Sequence, residues 1–209
     1  MIQAIGDITT QWILDLSNGI VKKGYIPGNW KSSVLPIYKG KWYPMECGSY
    51  RGITLLEHAM KVVERIFEHR TWQQIDIDDR QFGFMKGKGT TDAIFIVRQM
   101  QEKFRAKRKK LYFGFVDSEK AFHRVPREVI RWAMRKFGVE EWLVSAVMSM
   151  CTGAKTVLKT VYGNSNGFEV KVGMHQGSAL SPLLFVIVME ALSREFRVNF
   201  PWELLYTER

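Results

Sequence analysis

Asp117 closes a run of apolar and aromatic residues, Leu111-Tyr112-Phe113-Gly114-Phe115-Val116, and Phe122 follows five positions later. Tyr, Phe and Val suit a pleated surface, so the run predicts a short buried strand with Asp117 where it meets solvent. A carboxylate on so stiff a support suits a hard cation such as Mg2+, whose octahedral shell tolerates little positional error. The ring of Phe122 would wall a pocket beside it. The plainer alternative is a strand ending in an ordinary turn aspartate. Two other stretches carry concentrated charge. Lys39-Gly40-Lys41 sets two ammonium groups around a glycine, and Arg105-Ala106-Lys107-Arg108-Lys109-Lys110 holds five cations in six residues. Each reads either as a solvated turn or as a contact for phosphate.

The totals bound what such residues can be part of. A chain of 209 residues, 46% hydrophobic and 25% charged, buries a real core and is one large domain or two small lobes. Its net charge of +10 points to a polyanionic partner, nucleic acid before membrane. Two cysteines, Cys47 and Cys151, are too few for a disulfide framework and lack metal-site spacing, which favours a reducing compartment. Gly6, Asp7 and Gln11 interrupt any N-terminal apolar core, and the longest apolar run, Leu183 to Met189, is far too short to span a bilayer. The expectation is an intracellular chain, nuclear or cytoplasmic, neither secreted nor membrane-bound.

The elements that would position these residues follow from periodicity. Residues 8 to 23 place Trp12, Ile13, Leu16 and Ile20 on one helical face, with Gly24 as the stop and a turn over Tyr25 to Asn29. Ser33 to Tyr38 predicts a strand that Pro36 pushes toward an edge. Thr54 and Glu57 have capping-box spacing ahead of a helix with Ala59, Val62, Val63, Ile66 and Phe67 inward. Gln81-Phe82-Gly83-Phe84 opens a glycine-bearing loop, and a helix from Thr91 turns Ala93, Val97, Met100 and Phe104 inward. Pro126 opens a further helix that Gly138 closes, and another runs from about Glu140 to Met150 with Trp142, Leu143, Ala146 and Val147 buried. Lys155 to Tyr162 and Phe168 to Val172 predict a hairpin. A polar loop from Gly173 then leads to Ser181 as N-cap and Pro182 as first residue of a deeply buried helix reaching Leu192. Trp202 to Tyr206 predicts a final strand.

Taken in order, YRGITLL, QFGF with GKGTTDAI, FVDSEKAF, HQGSALSPLLF and WELLY resemble the reverse-transcriptase domain of non-LTR (LINE-like) retrotransposons. The resemblance covers the chain from roughly Trp30 to its last residue. It implies an α+β fold, the fingers (about residues 1–110) and partial palm (about 111–209) of a right-hand polymerase, with a small antiparallel sheet packed on helices and no thumb. By position, Asp117 matches the aspartate that ligates both Mg2+ ions, and Phe122 the aromatic gate against a ribose 2'-OH. Gln176 and Gly177 match the loop lining the nucleotide pocket, and Arg51 the arginine on the incoming triphosphate, with Lys39 or Lys41 assisting. A guanidinium fork suits phosphate oxygens. The implied activity is RNA-directed DNA synthesis by two-metal nucleotidyl transfer, with an RNA template, a DNA primer and deoxynucleoside triphosphates as partners. A group II intron maturase-like polymerase is the neighbouring family reading, and a non-catalytic RNA- or DNA-binding remnant the alternative of another class.

The remnant reading arises where the chain departs from the pattern. The third metal motif normally reads Tyr-any-Asp-Asp, whereas this chain reads Tyr206-Thr207-Glu208-Arg209. His123 stands where many relatives carry aspartate, a lesser change. The resemblance therefore describes a truncated, degenerate copy, part of a longer polyprotein. Glu208 adds a methylene, which shifts its oxygens by roughly 1.5 Å. That is large against a Mg2+–oxygen distance of about 2.0–2.1 Å. Arg209 brings a cation to a place that should hold cations. Primer extension on an RNA template with Mg2+ is thus expected to be absent, and neither Glu208→Asp nor Arg209→Asp alone should restore it. Template-dependent synthesis by the unaltered chain, abolished by Asp117→Ala, is the result that contradicts this expectation.

Overall fold

The computed structural model describes residues 6–24, 26, 32–118, 120–151 and 155–197. A layer of helices carries the core, and a small sheet lies beside it. Helix α1 (Asp7–Lys23) stops at Gly24, whose N–H donates to the Ile20 carbonyl at 2.8 Å. Ile20 is buried, but Trp12, expected on the inner face, is half exposed. Strand β1 (Ser32–Tyr38) is followed by a 3-10 turn at Cys47–Ser49, strand β2 (Tyr50–Leu55), helix α2 (His58–Trp72) and helix α3 (Thr90–Ala106). Then come a single helical turn, α4 (Ala121–Arg124), and helices α5 (Arg127–Lys136) and α6 (Glu141–Cys151). Strands β3 (Lys155–Thr160), β4 (Gly163–Asn164) and β5 (Phe168–Glu169) lead to the long helix α7 (Ser181–Arg197).

The core follows from the apolar stripes of four helices. α2 contributes Met60, Val63 and Phe67, α5 Ile130, Ala133 and Met134, α6 Leu143, Val144 and Val147, and α7 Leu183, Leu184 and Ile187. α6 and α7 are apolar almost all round, as central helices must be. Trp142, expected inside on α6, lies instead at the rim, where its indole N–H meets the Glu140 carboxylate. α3 keeps its expected stripe of Ala93, Val97, Met100 and Phe104, although only half-buried. Among the described residues, no helix is long and apolar enough to cross a membrane.

The sheet corrects the expectation of purely antiparallel strands: it is mixed. β1 pairs antiparallel with β2 from Ser33 opposite Leu55 to Tyr38 opposite Tyr50. On its other side β1 runs parallel to β3, but only over Ser32–Val34. β1 is therefore interior rather than an edge strand, and Pro36 falls just beyond the parallel ladder, where a missing N–H costs nothing. The predicted hairpin forms, with β3 antiparallel to β4 and β5, though its return strand is cut to two short pieces. Lys159 opposite Asn164 and Lys155 opposite Glu169 differ by one in register, so one extra residue is bulged between β4 and β5. Thr54 is a strand residue, not a helix cap, and Glu57 at the N-cap position makes no side-chain capping bond.

The largest correction concerns residues 111 to 116. They form no strand, and Phe115 and Val116 are 85% and 95% exposed. Strand-like composition creates a strand only where a neighbour completes its hydrogen-bond ladder, and among the described residues none pairs with this run. The rings of Phe113 and Phe115 stack at 6.1 Å, the i, i+2 spacing of extended chain. The predicted strand over Trp202 to Tyr206 lies outside the described residues, as does most of the turn over 25 to 29. With the core on α2, α5, α6 and α7, Leu184→Ala is expected to cost about 2–5 kcal/mol. Trp12→Ala should stay within about 0.5 kcal/mol. Urea unfolding of the two variants measures both.

Candidate functional site

One loop brings the cleft together. Residues 173 to 180 join β5 to α7 and are tied to three separate elements. Gly173 N–H donates to the Val125 carbonyl at 3.1 Å, and Met174 N–H to the Phe122 carbonyl at 2.7 Å. Further on, the Gln176 carbonyl accepts from Thr54 N–H of β2 at 2.6 Å. The third tie is a side chain of α2: Glu64 accepts from the Ser178 hydroxyl at 2.7 Å and from Ala179 N–H at 2.9 Å. Two glycines make this close approach possible. Gly173 has φ +84°, and a Cβ there would stand 2.5 Å from the His123 carbonyl oxygen. Gly177 has φ +112°, and its Cβ would stand 2.6 Å from the Thr54 carbonyl oxygen. Any other residue would be both strained and obstructed.

The Ser178 hydroxyl oxygen also accepts from Leu180 N–H at 3.1 Å and Ser181 N–H at 3.3 Å. These are the orphan donors at the start of α7, so the capping oxygen is that of Ser178 and not of Ser181. Under the loop lies an aromatic floor. Phe122 and Phe185 stack with centroids 4.8 Å apart, and Phe84 meets them edge-on at 5.7 and 6.5 Å. Phe84 sits at φ 59°, an uncommon conformation for a bulky residue, and stays 56% exposed.

Together these elements enclose a cleft of about 480 Å³. Phe84 and Phe122 form its floor, His175 to Ala179 one wall, Ser181 and Pro182 its end, and Lys61 and Arg65 of α2 its rim. Arg65 pairs with Glu68 at 2.6 Å on the exposed side of the helix. A second cleft of about 520 Å³ shares Arg65 and Phe84 and continues past His69 and Lys86. Burial, followed by the charge of Arg127, holds His175 below its ordinary pKa. Glu64 is pushed up by burial, opposed by its bonds to Ser178 and Ala179 and by Lys61 and Arg65. A cationic rim, an aromatic floor and a polar loop suit a ligand with phosphate at one end and a flat or sugar portion at the other.

Of the residues singled out in the sequence, Phe122, Gln176 and Gly177 converge on this cleft from distant parts of the chain. Arg51, Lys39 and Lys41 are not among its lining residues. Arg51 is exposed on β2 opposite Ile37, Lys39 donates through Nζ to the Gly48 carbonyl at 2.7 Å, and Lys41 is exposed in the following bend. Asp117 is exposed in the irregular 111–118 stretch and is not among the lining residues. Glu208 and Arg209 lie outside the described residues. Sequence reasoning missed Lys61, Glu64, Arg65, Phe84 and Ser178. Glu64 had a legible signal: it falls on the stripe Met60, Val63, Phe67, Thr71, a carboxylate in a row of core positions.

Among the described residues no group of three or more carboxylate, imidazole or thiol side chains is placed to hold a metal, and Asp117 is exposed.

The described residues form helices and a small mixed sheet, with a polar loop held over an aromatic cluster beside Lys61 and Arg65. The chain belongs to the reverse transcriptase (RNA-dependent DNA polymerase) family, which it matches over residues 31–207. It is 28% identical over 200 residues to a retrovirus-related Pol polyprotein from the type-1 retrotransposable element R2 of Nasonia vitripennis, covering 93% of this chain and 20% of that protein. It is 27% identical over 193 residues to the RNA-directed DNA polymerase from the mobile element jockey of Drosophila melanogaster, covering 89% of this chain and 21% of the other. A putative 115 kDa protein in the Drosophila melanogaster element R1DM is 29% identical over 196 residues, 91% of this chain and 18% of that protein. The chain thus spans about a fifth of the length of these relatives.

The depressed pKa of His175 sets a pH dependence. A histidine whose folded pKa lies below its unfolded value contributes stability above the ordinary value of 6.5, and loses it as pH falls through the folded pKa. Stability should therefore drop on acidification below pH 6.5. His175→Gln should flatten that part of the profile, as thermal unfolding at a series of pH values would show.

Proposed function

We propose that the chain is the fingers region and adjoining part of the palm of a non-LTR retrotransposon reverse transcriptase, and that its cleft is the nucleotide end of a primer–template site. The observation that supports this is the convergence of Phe122, Gln176 and Gly177 with the cations Lys61 and Arg65 around one cavity. In this reading Phe122 stands against the sugar, where bulk disfavours a 2'-OH, and the Gln176–Gly177 backbone follows the base pair being formed. Lys61 and Arg65 neutralise phosphate at the rim. Arg51, Lys39 and Lys41 offer further charge along β1 and β2 for the triphosphate or a template strand. The partners are an RNA template, a DNA primer and deoxynucleoside triphosphates.

Nucleotidyl transfer with Mg2+ is not proposed for this chain as written. Asp117 is the one position that keeps its expected metal ligand, and Glu208 and Arg209 replace the other two carboxylates. The reading is therefore a binding domain of polymerase ancestry.

Binding to an oligo(rA)–oligo(dT) duplex should fall linearly with log salt and tolerate changes of sequence. Each phosphate neutralised adds about 0.7–0.9 to the slope. Lys61→Ala and Arg65→Ala should each lower the slope by about that amount. Fluorescence anisotropy over a salt series measures it. No binding at low salt, or slopes unmoved by both substitutions, contradicts the proposal.

A further inference from the structure

Glu64 is 2% exposed, at the centre of the apolar stripe of α2. Burying a carboxylate is costly unless each oxygen is matched by a donor. Here both are: the Ser178 hydroxyl reaches one oxygen at 2.7 Å and Ala179 N–H the other at 2.9 Å. The Ser178 oxygen is itself occupied, since it accepts from Leu180 N–H at 3.1 Å and Ser181 N–H at 3.3 Å. A hydroxyl has two lone pairs and one proton, so the proton of Ser178 has one direction left, toward Glu64. Two protons therefore converge on position 64.

We propose that Glu64 is a positioning residue for the nucleotide-lining loop: its two oxygens, acting as paired acceptors, fix Ser178 and Ala179 and so place Gln176 and Gly177 in the cleft. The proposal rests on the reading of this cleft as a nucleotide site. Ser178, Ala179, Gly177 and Gln176 all line the cavity, so a shift of the first two is felt by the others directly. The remaining ties of the loop, to Phe122, Val125 and Thr54, run from backbone to backbone. Glu64 supplies the side-chain tie, and side-chain identity can be changed.

Two substitutions separate acceptor chemistry from packing. Glutamine has the size of glutamate but brings one acceptor and one donor, so its amide hydrogens face a proton whichever way it is turned. Aspartate keeps both acceptors and is one methylene short. Positioning by paired acceptors predicts that Glu64→Gln disturbs the loop more than Glu64→Asp. A packing role predicts the reverse.

The test is amide hydrogen exchange over residues 176 to 181 of the full chain, together with dTTP titration in the presence of an oligo(rA)–oligo(dT) duplex. In Glu64→Gln, exchange at Gly177 and Ala179 should rise about tenfold or more while that of α5 stays unchanged. dTTP affinity should fall by a similar factor, and Glu64→Asp should recover part of both. If Glu64→Gln matches the wild type and Glu64→Asp is the worse variant, the proposal is overturned. Should Glu64→Gln fail to fold, Ser178→Ala asks the same question from the loop side. Faster exchange at Ala179 with weaker dTTP binding supports the proposal, and unchanged values overturn it. A wild-type chain that does not bind dTTP overturns the reading of the cleft, whereas equal binding by wild type and Glu64→Gln overturns the role of Glu64 alone.

Discussion

A polar loop can lie between a helical core and a sheet only if its backbone groups find partners there, because an unpaired buried N–H or carbonyl costs about 1–3 kcal/mol. Residues 173 to 180 meet that condition through Val125, Phe122, Thr54 and Glu64, drawn from three parts of the chain. Each partner constrains the rest. β2 must present Thr54 N–H outward, α2 must turn a carboxylate into its apolar face, and α4 must leave two carbonyls open. The helices of the core hold these groups in place, and the cleft is the space left over. Its geometry is inherited from the packing of the core helices.

The sequence revealed elements whose physics is local and concealed those whose physics is not. α1, α5 and α6 follow from periodicity, with glycines ending the first two, and appear within a residue or two of their expected bounds, whereas α7 runs past the expected Leu192 to Arg197. β1 and the hairpin were legible for the same reason. The run from Leu111 to Val116 was misread because β-propensity reports compatibility with a sheet, while a strand exists only with a neighbour. Thr54 was misread likewise: its spacing to Glu57 is that of a capping box, but pairing with Val34 claims it for β2. For the cleft, Phe122 and Gln176–Gly177 could be found because motif order carries them. Lys61 and Arg65 could not, since a basic pair on the polar side of a helix looks like any solvated face until a loop closes over it.

Fold and chemistry draw on different residues here. The core rests on Leu, Val, Ile and Met side chains that tolerate exchange of similar volumes. Metal chemistry would rest on a few carboxylates whose exchange by one methylene is decisive.

The exposed run from Leu111 to Val116 has a consequence for how the chain behaves in concentrated solution. Tyr112, Phe113, Phe115 and Val116 form a short uncharged segment without proline, the composition from which intermolecular β-stacks grow. Immediately before it stand Arg108, Lys109 and Lys110, and immediately after it Asp117. In-register stacking of two copies would bring three cations from each chain into contact. The basic cluster thereby acts as a gatekeeper against aggregation, whatever else it binds, and its neutralisation by polyanions or high salt would lower the solubility of the chain.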